Sequence, residues 1–214
     1  MPWVSRAVRG RSSRAPASFI LPCLPTLSPR PPVGPGWVHE IKHDGYRMQV
    51  HIRDKRVRLF TRTGVDWTAR YPWIVEAAAR LPVANAVLDA ECCCSDDAGL
   101  TDFDGLHSRL KDHEAFAYAF DLLLLGDTDL RRQPLSERRK NLHTLLRKAK
   151  PGIRLSEQID ADGELVFAQA CKMGLEGIVS KRLQDPYRSG RSRTWIKTRN
   201  KQAPAYLRVQ EGTF

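Results

Sequence analysis

Residues 39–47 read HEIKHDGYR, and two incompatible structures can be built on them. His39, Glu40 and His43 satisfy the H-E-x-x-H spacing that holds zinc, whereas Lys42 followed by Asp44 and Gly45 is a lysine presented at the mouth of a turn. The zinc geometry requires a helix, because only positions i and i+4 on one helical face bring two imidazoles to one metal. Pro35 and Gly36 precede the pattern and Gly45 follows it closely, leaving barely two turns, and no obvious third ligand lies downstream. The alternation predicts a strand, on which His39 and His43 stand about 13 Å apart. On that strand Glu40 and Lys42 share a face, and the chain turns just beyond them.

The flanking sequence continues in strands. In YRMQVHIRD, Met48, Val50 and Ile52 share one face, with Arg47, Gln49, His51 and Arg53 on the other. DKR turns the chain and VRLFT resumes the alternation, which predicts a hairpin over residues 45–61. YPWIVEAAARL reads as a short helix. AVLDAEC reads as a strand bounded by the turn SDDAG, and AFAYAFDLLLL as a strand with a heavily buried run. LSERRKNLHTLLRKA sets Leu135, Leu142, Leu146 and Ala149 along one helical face. A further helix near residues 162–173 precedes the strands GIVSKR and RTWIKTR. The fold class is α+β with a largely antiparallel sheet.

Before Trp37 the chain is different in kind. Prolines punctuate residues 19–37 and block helix and central strand alike, so an extended lead-in is expected there. Residues 1–18 are rich in Arg and Ser, carry no acid and lack an apolar h-region, which reads as a basic disordered extension and not as a secretory signal. Residues 19–200 form the expected domain, and residues 201–214 a C-terminal tail. A chain of 214 residues can bury a sizeable core, and its net charge of +11 favours a polyanionic partner whose counterions Lys and Arg displace. The five cysteines, three of them consecutive at positions 92–94, show no paired spacing and suggest a reducing compartment. No apolar run reaches membrane-spanning length.

A lysine is a nucleophile only when neutral, so its reference pKa near 10.4 has to be lowered by desolvation or nearby cations. Lys42 stands among candidate cations. Around it, EIKHDGYR resembles the K-x-D-G-x-R signature of the ATP-dependent DNA ligases and related nucleotidyltransferases, and the rest of that family's motifs follow in order. RTG at Arg62–Gly64 resembles the arginine turn, and LDAE, ending in Glu91, the L-D-G-E strand with Ala90 in place of glycine. AFDLL, around Asp121, resembles the aromatic-containing strand. EGIVSKR from Glu176 matches E-G-x-V-x-K, and WIKTR from Trp195 resembles W-x-K-x-K with Arg199 as the last cation.

The resemblance implies an ATP-grasp-like nucleotidyltransferase domain, most similar to the bacterial end-joining repair ligases, with ATP and Mg²⁺ as cofactors. Lys42 is then expected to attack the α-phosphate of ATP and form lysyl-AMP, with Lys181 and Lys197 holding that phosphate. Glu91 and Glu176 are expected to contact ribose and Mg²⁺, Phe120 to stack on adenine, and Glu40 to help seat the base. Arg47 and Arg62 are expected to engage ribose or the terminal phosphate of the nucleic acid. Tyr187 lies in the basic loop DPYRSGRSR, which could run along a nucleic-acid backbone. The implied reaction passes AMP to a 5′-phosphorylated end of nicked or broken double-stranded DNA and seals it, in DNA repair or recombination, in the bacterial cytoplasm at the nucleoid. Family members usually continue into an oligonucleotide-binding (OB) barrel, whereas only KQAPAYLRVQEGTF follows the last strand, so a separate OB-fold or end-joining partner is expected. The sequence leaves open an RNA ligase, a capping-type nucleotidyltransferase, and a non-catalytic nucleic-acid-binding remnant.

Overall fold

A computed structural model describes residues 19–211, with side chains described through Arg208. The expected basic extension at residues 1–18 lies outside the described residues. The strands are β1 (Cys23–Leu27), β2 (Trp37–Ile41), β3 (Tyr46–Arg53), β4 (Arg56–Thr61), β5 (Asn85–Cys93), β6 (Phe116–Leu125), β7 (Thr128–Asp129), β8 (Ile153–Leu155), β9 (Gly177–Arg182) and β10 (Gly190–Arg199). The helices are α1 (Pro72–Ala79), α2 (Phe103–His107), α3 (Leu135–Leu146), α4 (Gly163–Lys172) and α5 (Pro204–Glu211).

Two sheets face each other. One has the order β1-β10-β9-β2; the other runs β4-β3-β5-β6-β7, with β8 also on β6. Every pairing is antiparallel except β1 with β10 and β6 with β8. The predicted hairpin forms over β3 and β4. Its two-residue turn, Asp54 at φ 48° and Lys55 at φ 61°, has the doubly left-handed backbone whose twist matches the strands it joins.

The outer face of the larger sheet carries the main core, where Met48, Val50 and Ile52 meet Leu88, Ala90 and Leu122 under α1 and α3. Helix α4 covers the smaller sheet by packing Val166 and Ala170 on Ile178 of β9. The opposite face of the larger sheet, polar in sequence, is also covered. Gln49 lies beneath the lead-in and holds the backbone of Ile20 through both ends of its amide, and His51 bonds to Gln49 at 2.9 Å.

Two expectations are refined. The lead-in contains strand β1, which tolerates Pro25 because it sits at the sheet edge. The segment after residue 200, expected as a tail, contains helix α5, whose Arg208 reaches back to Asp44. Among the described residues no helix is long and apolar enough to cross a membrane.

Candidate active site

The opening stretch forms β2 and the loop after it, as its alternation predicts. His39 bonds to Ser180 Oγ at 2.8 Å from inside the sheet, and His43 stacks on Tyr118 with ring centroids 3.8 Å apart. Among the described residues no group of three or more His, Cys, Asp or Glu side chains is placed to hold a metal ion, and the zinc reading falls.

Between the two sheets lies a cavity of about 1040 Å³. The smaller sheet contributes Glu40, Lys181, Trp195, Lys197 and Arg199 to its wall, the loop after β2 contributes Lys42, and the larger sheet contributes Arg47, Glu91 and Phe120. Arg62 and Glu176 reach it from the segments next to β4 and β9. Every site residue expected from the sequence therefore faces one space.

The cavity has two ends, set by strand register. At one end the backbone N–H of Lys42 donates to Gly177 O at 2.9 Å, which fixes the lysine at the mouth of β9. Its Nζ donates to Glu176 Oε2. Arg199 Nε stands 3.8 Å from Glu176 Oε1 and makes no hydrogen bond among the described residues. Lys197, two positions before Arg199 on β10, has its pKa lowered, first by loss of hydration and then by Arg199 and Lys42. Glu91 is pushed up to about 8 by desolvation, which outweighs the pull of Lys42 and Arg47. Two glycines permit this crowding. A Cβ on Gly45 would lie 2.1 Å from Cys92 O, and one on Gly177, at φ 137°, would lie 2.1 Å from Thr198 O.

The other end is walled by aromatic rings. Phe120 and Trp195 meet edge to face with centroids 6.1 Å apart. Lys181 Nζ sits 4.5 Å from the Phe120 centroid and 4.2 Å from that of Trp195, and the Arg47 guanidinium lies 5.3 Å from Phe120. Glu40 accepts from Lys181 at 2.7 Å, with both side chains almost fully buried.

The register sets Lys181 apart from Lys42. Lys181 pairs with Val38, whereas Lys42 is level with Gly177, four positions along β9 and roughly 13 Å away. Lys181 therefore stands at the aromatic end as the partner of Glu40, and of the two lysines expected to hold one phosphate, Lys197 alone stands near Lys42. Arg47 is also committed. Its Nε and Nη2 grip Asp89 at 3.0 and 2.7 Å, and its Nη1 donates to Cys23 O at 2.5 Å. Tyr187, in the loop that the sequence reads as able to run along nucleic acid or as a surface turn, is 5% exposed and points its hydroxyl inward at Asp89. Sequence reasoning passed over Asp89, Ser156 and Arg208, whose partners are remote in the chain.

The carboxylates of Glu91 and Glu176, next to Lys42, are hard oxygen donors of the kind Mg²⁺ takes, and one or two carboxylates suffice for it. The donor set fits a magnesium ion at this end.

A family model for the ATP dependent DNA ligase domain matches residues 32–199. The chain is 41% identical over 197 residues to the multifunctional non-homologous end joining protein LigD of Pseudomonas aeruginosa, an alignment covering 89% of this chain and 23% of that protein. To the LigD end joining DNA repair protein of Mycobacterium tuberculosis it is 35% identical over 165 residues, covering 77% of this chain and 22% of that one. The crystal structure of the ligase domain from M. tuberculosis LigD superposes with a TM-score of 0.74 at 33% identity, covering 83% of this chain and 60% of that one. A mycobacterial DNA ligase D complexed with ATP and MES gives 0.73 at 33%, covering 83% and 59%. The chain spans less than a quarter of the length of these two curated relatives.

Proposed function

Because the chain belongs to the ATP-dependent DNA ligase domain family, we propose that it carries out the adenylation chemistry of a DNA end-joining ligase, with Lys42 as the nucleophile. The observation that carries this reading is the two-ended cavity. A lysine amine lies among cations and carboxylates at one end, and a ring-lined slot lies at the other, which is the division a nucleoside triphosphate requires.

In the proposed first step the neutral Lys42 amine attacks the α-phosphorus of ATP, a P–N bond forms, and the bond to the β-phosphate breaks to release pyrophosphate. Lys197, Arg199 and Arg62 face the transferring phosphate as preorganised cations, which favours the charge that builds there. Phe120 and Trp195 hold the base, with Glu40 at the same end. Arg47 lies between base and phosphate, and its remaining N–H groups suit ribose or phosphate oxygens. Glu91 and Glu176 would hold Mg²⁺, which when bound neutralises phosphate charge.

The 5′-phosphate of a DNA end then attacks the lysyl-AMP phosphorus and frees Lys42. A 3′-hydroxyl finally attacks the activated 5′-phosphate, joining the strands and releasing AMP. The named relatives are end-joining proteins, so broken or nicked duplex DNA in the bacterial cytoplasm, at the nucleoid, is the proposed setting, with an end-joining protein or OB-fold domain as partner.

The test is incubation of the purified chain with ATP labelled at the α-phosphate and Mg²⁺, followed by denaturation. Label should remain on the wild type and be absent from Lys42→Ala and Lys42→Arg at unchanged melting temperature. Persistent label on Lys42→Ala would overturn the assignment.

A further inference from the structure

Arg47 owes its position to a buried network that spans both sheets, and Tyr187 lies at its centre. The Tyr187 hydroxyl accepts from the backbone N–H of Cys23, on β1 of the smaller sheet, at 2.9 Å. It lies 2.7 Å from Asp89 Oδ2, on β5 of the larger sheet. Arg47 Nη2 approaches the same hydroxyl at 3.5 Å. Cys23 N and Arg47 Nη2 can only donate, so the phenolic proton has one acceptor among these neighbours, Asp89. Asp89, fully buried, accepts that proton and two from Arg47.

Three of the five guanidinium N–H bonds are thereby spent on Asp89 and Cys23 O. The guanidinium is held against the Phe120 and Trp195 rings at 5.3 and 5.9 Å, and the side chain is 13% exposed.

The ring of Tyr187 is itself fixed. It meets Trp195 edge to face at 5.8 Å, and its backbone N–H donates to Arg131 O at 2.8 Å. The turn before it is held by Arg138, which is fully buried, pairs with Asp121 at 2.8 and 2.9 Å, and donates to Asp185 O at 3.2 Å. A rigid frame therefore aims one hydroxyl at one carboxylate, and the carboxylate aims one arginine at the cavity.

We propose that Tyr187 is a positioning residue for nucleotide transfer, acting through Asp89 to hold Arg47 at the boundary between the base slot and the phosphate end. This rests on the reading of the cavity as a nucleotide site. A hydroxyl with this role works only through Arg47, and a hydroxyl that merely stabilises the fold works whether or not Arg47 is present.

The test is a double-mutant cycle on the whole chain with Tyr187→Phe, Arg47→Ala and the pair, reading KM for ATP and kcat of Lys42 adenylation together with melting temperature. Tyr187→Phe keeps the ring and removes the hydrogen bond to the charged Asp89 together with the acceptor of the Cys23 N–H, so KM for ATP should rise about tenfold, with a smaller change in kcat. In the Arg47→Ala background the same substitution should change KM less than about twofold, since its route of action is gone. Asp89→Asn, which keeps the shape of the carboxylate and weakens its grip on Arg47, should move KM in the same direction as Tyr187→Phe and serves where that variant folds poorly.

Equal factors in both backgrounds, or a fall in melting temperature with KM unmoved, would overturn the proposal while leaving the nucleotide site standing. A wild-type chain that takes no label from ATP would remove the nucleotide reading and this inference with it.

Discussion

Lys181→Met is the substitution whose outcome separates the structural placement from the motif reading. Lys181 and Glu40 are an ion pair at 2.7 Å with side-chain exposures of 2% and 3%. Without Lys181, Glu40 keeps only long contacts, hydrogen bonds from Ser156 Oγ and Gln158 Nε2 at 3.4 Å and an ion pair with Arg139 at 4.0 Å. A buried carboxylate left in that state costs about 3–5 kcal/mol. For a domain of this size each kcal/mol moves the melting temperature by about 2–4 °C, so Lys181→Met should melt roughly 6–20 °C below wild type. Glu40→Gln combined with Lys181→Met removes both charges and should regain much of the loss, because the penalty belongs to the uncompensated charge and not to lost packing. Thermal unfolding followed by circular dichroism at pH 7.5 measures both. A drop under about 2 °C for Lys181→Met, or a double variant as unstable as the two single variants added together, would refute the reasoning and leave Lys181 free for a phosphate.

Four other outcomes follow from the same site. Glu91, pushed up to about 8 by burial, is neutral below that pH, so Mg²⁺-dependent adenylation should rise between pH 7 and 9, and Glu91→Gln should lose both activity and slope; a flat wild-type profile would count against a metal role. The sign for stability is opposite, since a raised carboxyl pKa stabilises the fold below its ordinary value of 4.5 and that contribution is lost as pH rises through about 8, which thermal melts of wild type and Glu91→Gln across this range would show. Gly45→Ala drives a Cβ to 2.1 Å from Cys92 O, a backbone atom that cannot yield alone, and should cost more than about 2 kcal/mol or abolish soluble expression; a variant melting within about 2 °C of wild type would refute this. Arg208, which contacts Asp44 and lies 3.5 Å from Asp104, opposes a desolvation that already pushes Asp44 up to about 6, so Arg208→Ala should raise the Asp44 titration midpoint further, as read by carboxyl NMR, and an unchanged midpoint would detach α5 from the site.

What could be read from the sequence was whatever depends on neighbours in the chain. The alternation of Met48, Val50 and Ile52 is a property of consecutive residues, and the strand it predicts is β3. The convergence of Lys42, Glu91, Glu176 and Lys197 was legible because each stands in a short motif whose order matches a known family, and the cavity collects all four. The side chains that hold those groups in place were not legible, since register and not motif chooses their partners. Lys181 meets Glu40 across 141 positions, Tyr187 meets Asp89 across 98, and Arg208 meets Asp44 across 164. Sliding β9 by one residue against β2 would turn Lys181 to the opposite face of the sheet, away from Glu40, without changing a letter of EGIVSKR. The motif therefore specifies that a lysine is present, and the register decides which carboxylate it meets. The same holds for DPYRSGRSR, where the charges around Tyr187 suggest an exposed nucleic-acid loop while the aromatic ring is drawn inward by Trp195. A residue's chemistry is written locally, but the group it acts upon is set by the pairing of strands far apart in the chain, so the supporting residues of this site had to be found in the fold.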